Sequence, residues 1–141
     1  MLYRNYIGGV VFHKDKVFMI QNEKFEWILP RVRIDEFGHS KNIYVDLFWQ
    51  YFKMEIALKE HIGDSVYEFY SVSREVPMCN TVIWYEAKTL EESFTLTKVK
   101  GRENAGFYEV KDALEKLTYT QERKILKESL KDKNSADKAI I

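Results

Sequence analysis

The sequence predicts an α+β domain, a layered α/β/α sandwich with a mixed central sheet. Three observations predict it. Short runs rich in β-branched and aromatic residues recur before and after one long apolar stretch. That stretch, Lys41 to His61, has helical character and is apolar around most of its circumference, so it needs cover on several sides. The C-terminal third then shows helical spacing of apolar residues, at Ala113, Leu114 and Leu117 and again at Ile125, Leu126 and Leu130. Strands on both sides of one helix, followed by terminal helices, stack into layers around a shared core.

The elements follow in order. Tyr3 to Phe12 is a strand carrying Gly8-Gly9, and glycines inside a strand mark a bulge or a close approach. Lys14-Asp15-Lys16 turns the chain into a second strand, Val17 to Ile20, giving a hairpin. A charged loop, Asn22 to Glu26, leads to a short strand, Trp27 to Leu29, stopped by Pro30, which has no N–H for the ladder. Arg31 to His39 reads as an irregular loop. Ser40 suits an N-cap, and Gly63 suits the position just past a helix ending near His61. On that helix Asn42, Asp46, Gln50, Lys53 and Glu60 form one narrow polar face.

Val66 to Val72 and Met78 to Ala87 are strands joined by a turn at Arg74-Glu75-Val76-Pro77, and they should pair as a hairpin. Phe94 to Val99 is a weaker strand, followed by a polar loop from Lys100 to Asn104. Gly106 to Val110 is a last short strand, Val110 to Leu117 a short helix, and Thr120 caps a final helix from Gln121 to about Lys131. Residues 1–133 read as one domain, and Asn134 to Ile141 as a frayed tail.

Composition bounds the function. A chain of 141 residues, 45% hydrophobic and 31% charged, is long enough for one real core. Lys+Arg and Asp+Glu are both 22, and a net charge of zero argues against non-specific nucleic-acid binding. No apolar run is long enough for a membrane span and the N-terminus lacks a signal pattern, so the expected location is the cytoplasm. The single cysteine, Cys79, reads as a small buried hydrophobe. No Ser-His-Asp arrangement, phosphate-binding glycine loop, zinc spacing or dinucleotide fingerprint is present.

Four segments together resemble the Nudix hydrolase family. Tyr6-Ile7-Gly8-Gly9-Val10-Val11-Phe12 is similar to its opening strand, and Lys16 to Asn22 to its next one. Trp27-Ile28-Leu29-Pro30 resembles the W-x-L-P before the family's signature loop, and Gly106 to Leu114 its late strand-to-helix segment. The resemblance spans roughly residues 3–130 and implies a Nudix-like sandwich. It also implies a signature, G-x5-E-x7-R-E-U-x-E-E-x-G-U, whose glutamates share a helix face and hold Mg²⁺ or Mn²⁺ against a diphosphate. The metal polarises the phosphoryl oxygens and activates a water.

The signature is degenerate here. Aligned without a gap from Pro30, its R-E-U-x-E-E positions fall on Asp46, Leu47, Phe48, Trp49, Gln50 and Tyr51, with no glutamate retained. Shifting the register one residue earlier retains one carboxylate, Asp46, and one residue later none. A hard dication binds weakly to so few carboxylates. No cofactor is therefore expected unless hydrolysis survives, when Mg²⁺ or Mn²⁺ would be needed.

The candidate residues follow from this. Asp46 and Glu103 are the candidate catalytic groups. Asp35, Glu36 and Asp46 are the candidate metal ligands. Arg4, Arg31, Arg33 and Gln50 are the candidate ligand-binding residues, the arginines because a guanidinium fork suits phosphate. Each also has a plain surface role open to it. Phe69, Tyr70, Trp84 and Tyr85 read as core rather than base-stacking residues.

Three functions stay open: a divergent Nudix-fold protein that binds a nucleotide or phosphate without metal-dependent hydrolysis, a hydrolase of nucleoside diphosphate derivatives using other carboxylates, and an interaction module. The apolar helix, with Tyr44, Phe48, Trp49, Tyr51 and Phe52, suggests a homodimer contact.

Overall fold

The computed structural model describes residues 1–35, 40–90 and 104–139, and the side chains of all of these except residues 40 and 132–139. The expected strand at Phe94 to Val99, and Glu36, His39 and Glu103, lie outside the described residues.

Among the described residues, seven strands form one mixed sheet with helices on both faces. β1 (Leu2–His13) is its axis. It turns through Lys14, in the left-handed region at φ 54°, into antiparallel β2 (Lys16–Gln21). β2 also pairs with β3 (Trp27–Ile28) and with β7 (Asn104–Glu109), both antiparallel. Along its other edge β1 runs parallel to β6 (Val76–Lys88), from Leu2 opposite Met78 to Phe12 opposite Lys88. β6 pairs in turn with the edge strand β5 (Ala57–Ser71), giving the expected hairpin.

Two expectations are corrected. Arg31 to His39 is not wholly irregular: β4 (Arg31–Ile34) pairs antiparallel with β1, from Asn5 opposite Ile34 to Gly8 opposite Arg31. Its Arg-Val-Arg-Ile alternation buries Val32 and Ile34 and leaves Arg33 exposed, the period-2 signature of a strand. The apolar helix is also shorter than its composition suggests. α1 spans Ser40–Phe52 and ends at Lys53, whose φ of 54° and N–H bond to the Trp49 carbonyl (2.8 Å) close the last turn. Ile56, Leu58, Glu60, His61 and Gly63 therefore belong to the approach to β5 and to β5 itself. Irregular pairing between Leu58 and Gly63 marks a bulge there. His61 accordingly lies on an edge strand, within 2.8 Å of Asp64.

Alternation along β1 divides the core. Ile7 and Val11 face α1, packing with Phe18, Tyr44, Phe48 and Phe52. Val10 and Phe12 face the opposite layer with Val82 and Trp84, under α2 (Val110–Lys116) and α3 (Thr120–Ala139). α3 continues past Lys131, where apolar periodicity stops, as far as Ala139. Gly8 and Gly9 mark close approaches, as the sequence suggests. A Cβ on Gly8 would meet the Trp84 ring, and one on Gly9 would lie 2.5 Å from the Tyr44 hydroxyl.

α1 obtains its cover largely within the chain. Tyr44, Phe48 and Phe52 are buried and Tyr51 is half-buried, while Trp49 is 47% exposed. Phe69 and Tyr70 are not core residues as expected. They are exposed on the edge strand, whereas Trp84 is fully buried and Tyr85 half-buried. Cys79 is buried, as expected.

Candidate functional site

A cavity ringed by polar groups lies on the sheet face that carries α2 and α3. It is built where three segments meet. The first is the loop from Asn22 to Glu26, held by Asn22, whose Oδ1 accepts the N–H groups of Lys24 (2.9 Å) and Glu26 (3.0 Å). The second is the junction Leu29-Pro30-Arg31. The third is the start of α3.

Several hydrogen bonds lock these segments together. The Trp27 N–H donates to the Thr118 hydroxyl (3.0 Å), and the Thr118 N–H to the Trp27 carbonyl (3.0 Å). The Leu29 N–H donates to a Glu122 carboxylate oxygen (2.6 Å). Pro30 has no N–H, but its carbonyl accepts from the Gly9 N–H (3.0 Å) and the Tyr44 hydroxyl (2.9 Å). The chain leading into Arg31 is thus fixed by α3, β1 and α1.

The cleft has a volume of about 480 Å³. Arg31, Tyr67, Phe69, Asn80 and Tyr119 line it, with Glu26 on the loop side. The Arg31 guanidinium lies 5.1 Å from the Tyr6 ring centre and 6.0 Å from that of Tyr67, in cation–π range. No ion pair is formed by Arg31 among the described residues. Among the described residues, the Asn80 side-chain oxygen is buried without a hydrogen-bond partner, and the Tyr67 hydroxyl makes no bond of good geometry, with Ser65 its nearby polar neighbour. Such groups cost about 1–3 kcal/mol each when left unpaired.

The local charges are unusual. Glu122 is 1% exposed, and burial pushes its carboxyl up to about 7 against the pull of the Leu29 N–H and of Arg31. Glu26 is held below the usual carboxylate range, first by the Tyr119 hydroxyl, which donates to it (2.6 Å), and then by Asn22. Burial and the same bond to Glu26 push the Tyr119 hydroxyl up to about 12. Tyr67 is raised by burial and by Glu122. Arg31, without an ion pair among the described residues, therefore lies near an ionised carboxylate, Glu26, and a carboxyl poised near neutrality, Glu122.

The other candidates are placed apart. Arg4, Tyr6 and Gly8 share the β1 face that looks toward this layer, and Arg33 shares the Arg31 face of β4 by alternation. Asp35 is exposed just past β4. Asp46 and Gln50 are exposed on α1, across the sheet from Arg31. There they line a shallow cavity of about 400 Å³ with Val45, Trp49 and Glu55. Among the described residues, no three His, Cys, Asp or Glu side chains gather as a metal cage would require.

Tyr67, Asn80, Tyr119 and Glu122 had not been singled out in the sequence. Asn80 alone carried a signal, as a polar residue within the apolar run Met78 to Ala87. The others come together only through the packing of α3 on β3 and the sheet.

No protein-family model matches the sequence, and no curated protein matches it. Solved structures do. A MutT protein from Methanosarcina mazei Go1 superposes with a TM-score of 0.72 at 11% identity, covering 94% of this chain and 96% of that one. The E. coli dihydroneopterin triphosphate pyrophosphohydrolase gives 0.69 at 14% identity, covering 89% and 95%. A C. elegans Ap4A hydrolase gives 0.65 at 13% identity, covering 98% and 99%. The sheet order, the placement of the helices and these superpositions agree: the chain has the fold of the Nudix hydrolases.

Proposed function

We propose that this chain is a divergent Nudix-fold protein that holds a nucleotide or another phosphorylated ligand in the cleft around Arg31, without the usual metal-dependent hydrolysis. The observation that carries this reading is Arg31 itself. A guanidinium without an ion pair among the described residues, flanked by two tyrosine rings on a backbone fixed from three sides, is pre-organised for an anion. Phe69, 46% exposed on the cleft wall, offers an aromatic face to a base. Two structures with this fold are named for compounds with phosphate chains, which supports the ligand class.

The fold implies Mg²⁺ or Mn²⁺, but the donors on α1 do not fit either ion. They are one carboxylate, Asp46, and two amides, Asn42 and Gln50, with Glu55 beyond the helix end. One carboxylate beside neutral amides offers such hard dications little negative charge. The placement of Asp46 and Glu55 on one cavity favours a second reading, a hydrolase with recruited carboxylates. A homodimer through α1, suggested by the sequence, would rest mainly on Ile43 and Trp49, its exposed apolar residues.

Thermal shifts with ADP-ribose and pyrophosphate, run beside Mg²⁺- and Mn²⁺-dependent phosphate release from nucleoside diphosphate derivatives, separate the readings. Stabilisation without turnover supports the proposal. Turnover abolished by Asp46→Ala selects the hydrolase, and neither response leaves an interaction module.

A further inference from the structure

Glu122 is a buried carboxyl to which the proposed binding reaction gives no role, yet its geometry ties it to Arg31. It sits in the first turn of α3, and its oxygen accepts the N–H of Leu29, two residues before Arg31. Pro30, between them, cannot donate, and its carbonyl is engaged by Gly9 and Tyr44. The carboxyl is therefore an anchor of the chain that presents the guanidinium. It is also close enough to interact electrostatically with it.

The ionisable groups facing Glu122 come from each neighbouring segment. They are Arg31 on β4, Glu26 on the loop before β3, Tyr67 on β5, and Tyr119 at the entry to α3. Both tyrosines are held neutral, since their hydroxyls are raised above the ordinary value. Lys24, Glu23 and Glu68 also line the cleft, so the balance lies among two cations, Arg31 and Lys24, and the carboxyls of Glu23, Glu26, Glu68 and Glu122. Glu26 stays ionised because Tyr119 and Asn22 donate to it. With Glu122 also ionised, one more negative charge opposes an incoming anion. With Glu122 protonated, that charge is removed.

We propose that the cleft takes up its anion together with a proton, held on Glu122, so that Glu122 makes ligand binding pH-dependent. This rests on the anion-binding reading of Arg31 given above. The sign follows from linkage. A bound anion cancels the Arg31 field that favours ionised Glu122 and adds a negative charge beside it. Both effects raise the Glu122 carboxyl further, so binding draws in a proton. Affinity is then higher below pH 7 and falls as pH rises through it, the region where burial has already placed this group.

Sulfate is the probe, because it stays a dianion across the range, unlike phosphates. Sulfate affinity, measured by calorimetry from pH 5.5 to 8.5, should fall by about three- to tenfold across neutrality. The heat should depend on the ionisation enthalpy of the buffer, which reads proton uptake directly. Glu122→Gln keeps an oxygen for the Leu29 N–H and should flatten the profile, whereas Glu26→Gln should leave the slope in place. Carbon-detected NMR of the unmodified protein should show the Glu122 carboxyl titrating at higher pH with sulfate bound. Binding that is independent of pH, or a slope unchanged in Glu122→Gln, overturns the proton linkage and leaves the anion site standing. No sulfate binding at any pH overturns the anion site, and the linkage with it.

Discussion

Arg31 and Arg33 are chemically identical and two residues apart, but they occupy different environments. Arg31 sits against Tyr6 and Tyr67 in the cleft, while Arg33 is exposed on the same strand face. Arg31→Ala is therefore expected to abolish stabilisation by pyrophosphate, and Arg33→Ala to leave most of it. Melting temperatures with and without ligand check both, and equal losses would remove Arg31 from its special position. Tyr44 allows a test of the junction. Its hydroxyl is buried and donates to Pro30, so Tyr44→Phe should lower stability by about 1 kcal/mol in urea unfolding. Gly9→Ala, whose methyl would fall 2.5 Å from that hydroxyl, should cost about 1–3 kcal/mol. Part of that loss should return in the Tyr44→Phe background, although the ring carbons at 3.1 and 3.2 Å keep some of it.

At the scale of elements, the end of α1 is the point where local pattern and tertiary pairing disagree. The run from Lys41 to His61 is apolar enough to continue as helix, but Lys53 turns into the left-handed region and Met54 and Ile56 are buried beyond it. From Ala57 onward the backbone pairs with β6. A lysine in that conformation is strained where glycine is not. Lys53→Gly should therefore stabilise the fold by about 0.5–1 kcal/mol, read from the urea midpoint. A loss instead would mean that the contact of Lys53 with the Trp49 ring, 5.8 Å away, matters more than the backbone strain.

For the whole molecule, Glu122 links stability to pH. Its folded-state value, about 7, lies above the ordinary 4.5. The native state then holds a proton that the unfolded chain releases, so stability falls as pH rises from about 4.5 to 7 and is level above that. The expected loss is about 3 kcal/mol. Glu26, held low, acts in the opposite sense: its contribution is present above 4.5 and is lost as pH falls through its lowered value. Glu122→Gln should thus stabilise the protein at pH 8 and be nearly neutral at pH 5, measured by urea unfolding at both. Equal effects at the two values would show that Glu122 stays ionised.

Local pattern was enough for the two hairpins, the close approaches at Gly8 and Gly9, and the layered class. These depend on period, turn residues and apolar runs, all of which are local. Residue identity also shows that α1, Ser40–Phe52, contains no glutamate. Folding was needed to show that Arg31 begins a strand, that Ile56 to Gly63 leave the helix, that Tyr67, Asn80 and Tyr119 line one cavity with Arg31, and that Glu122 anchors the chain beside it. Those outcomes rest on pairing and packing between residues far apart in the chain, as Leu29 and Glu122 are, and hydrogen bonds of that kind leave no periodic trace in sequence.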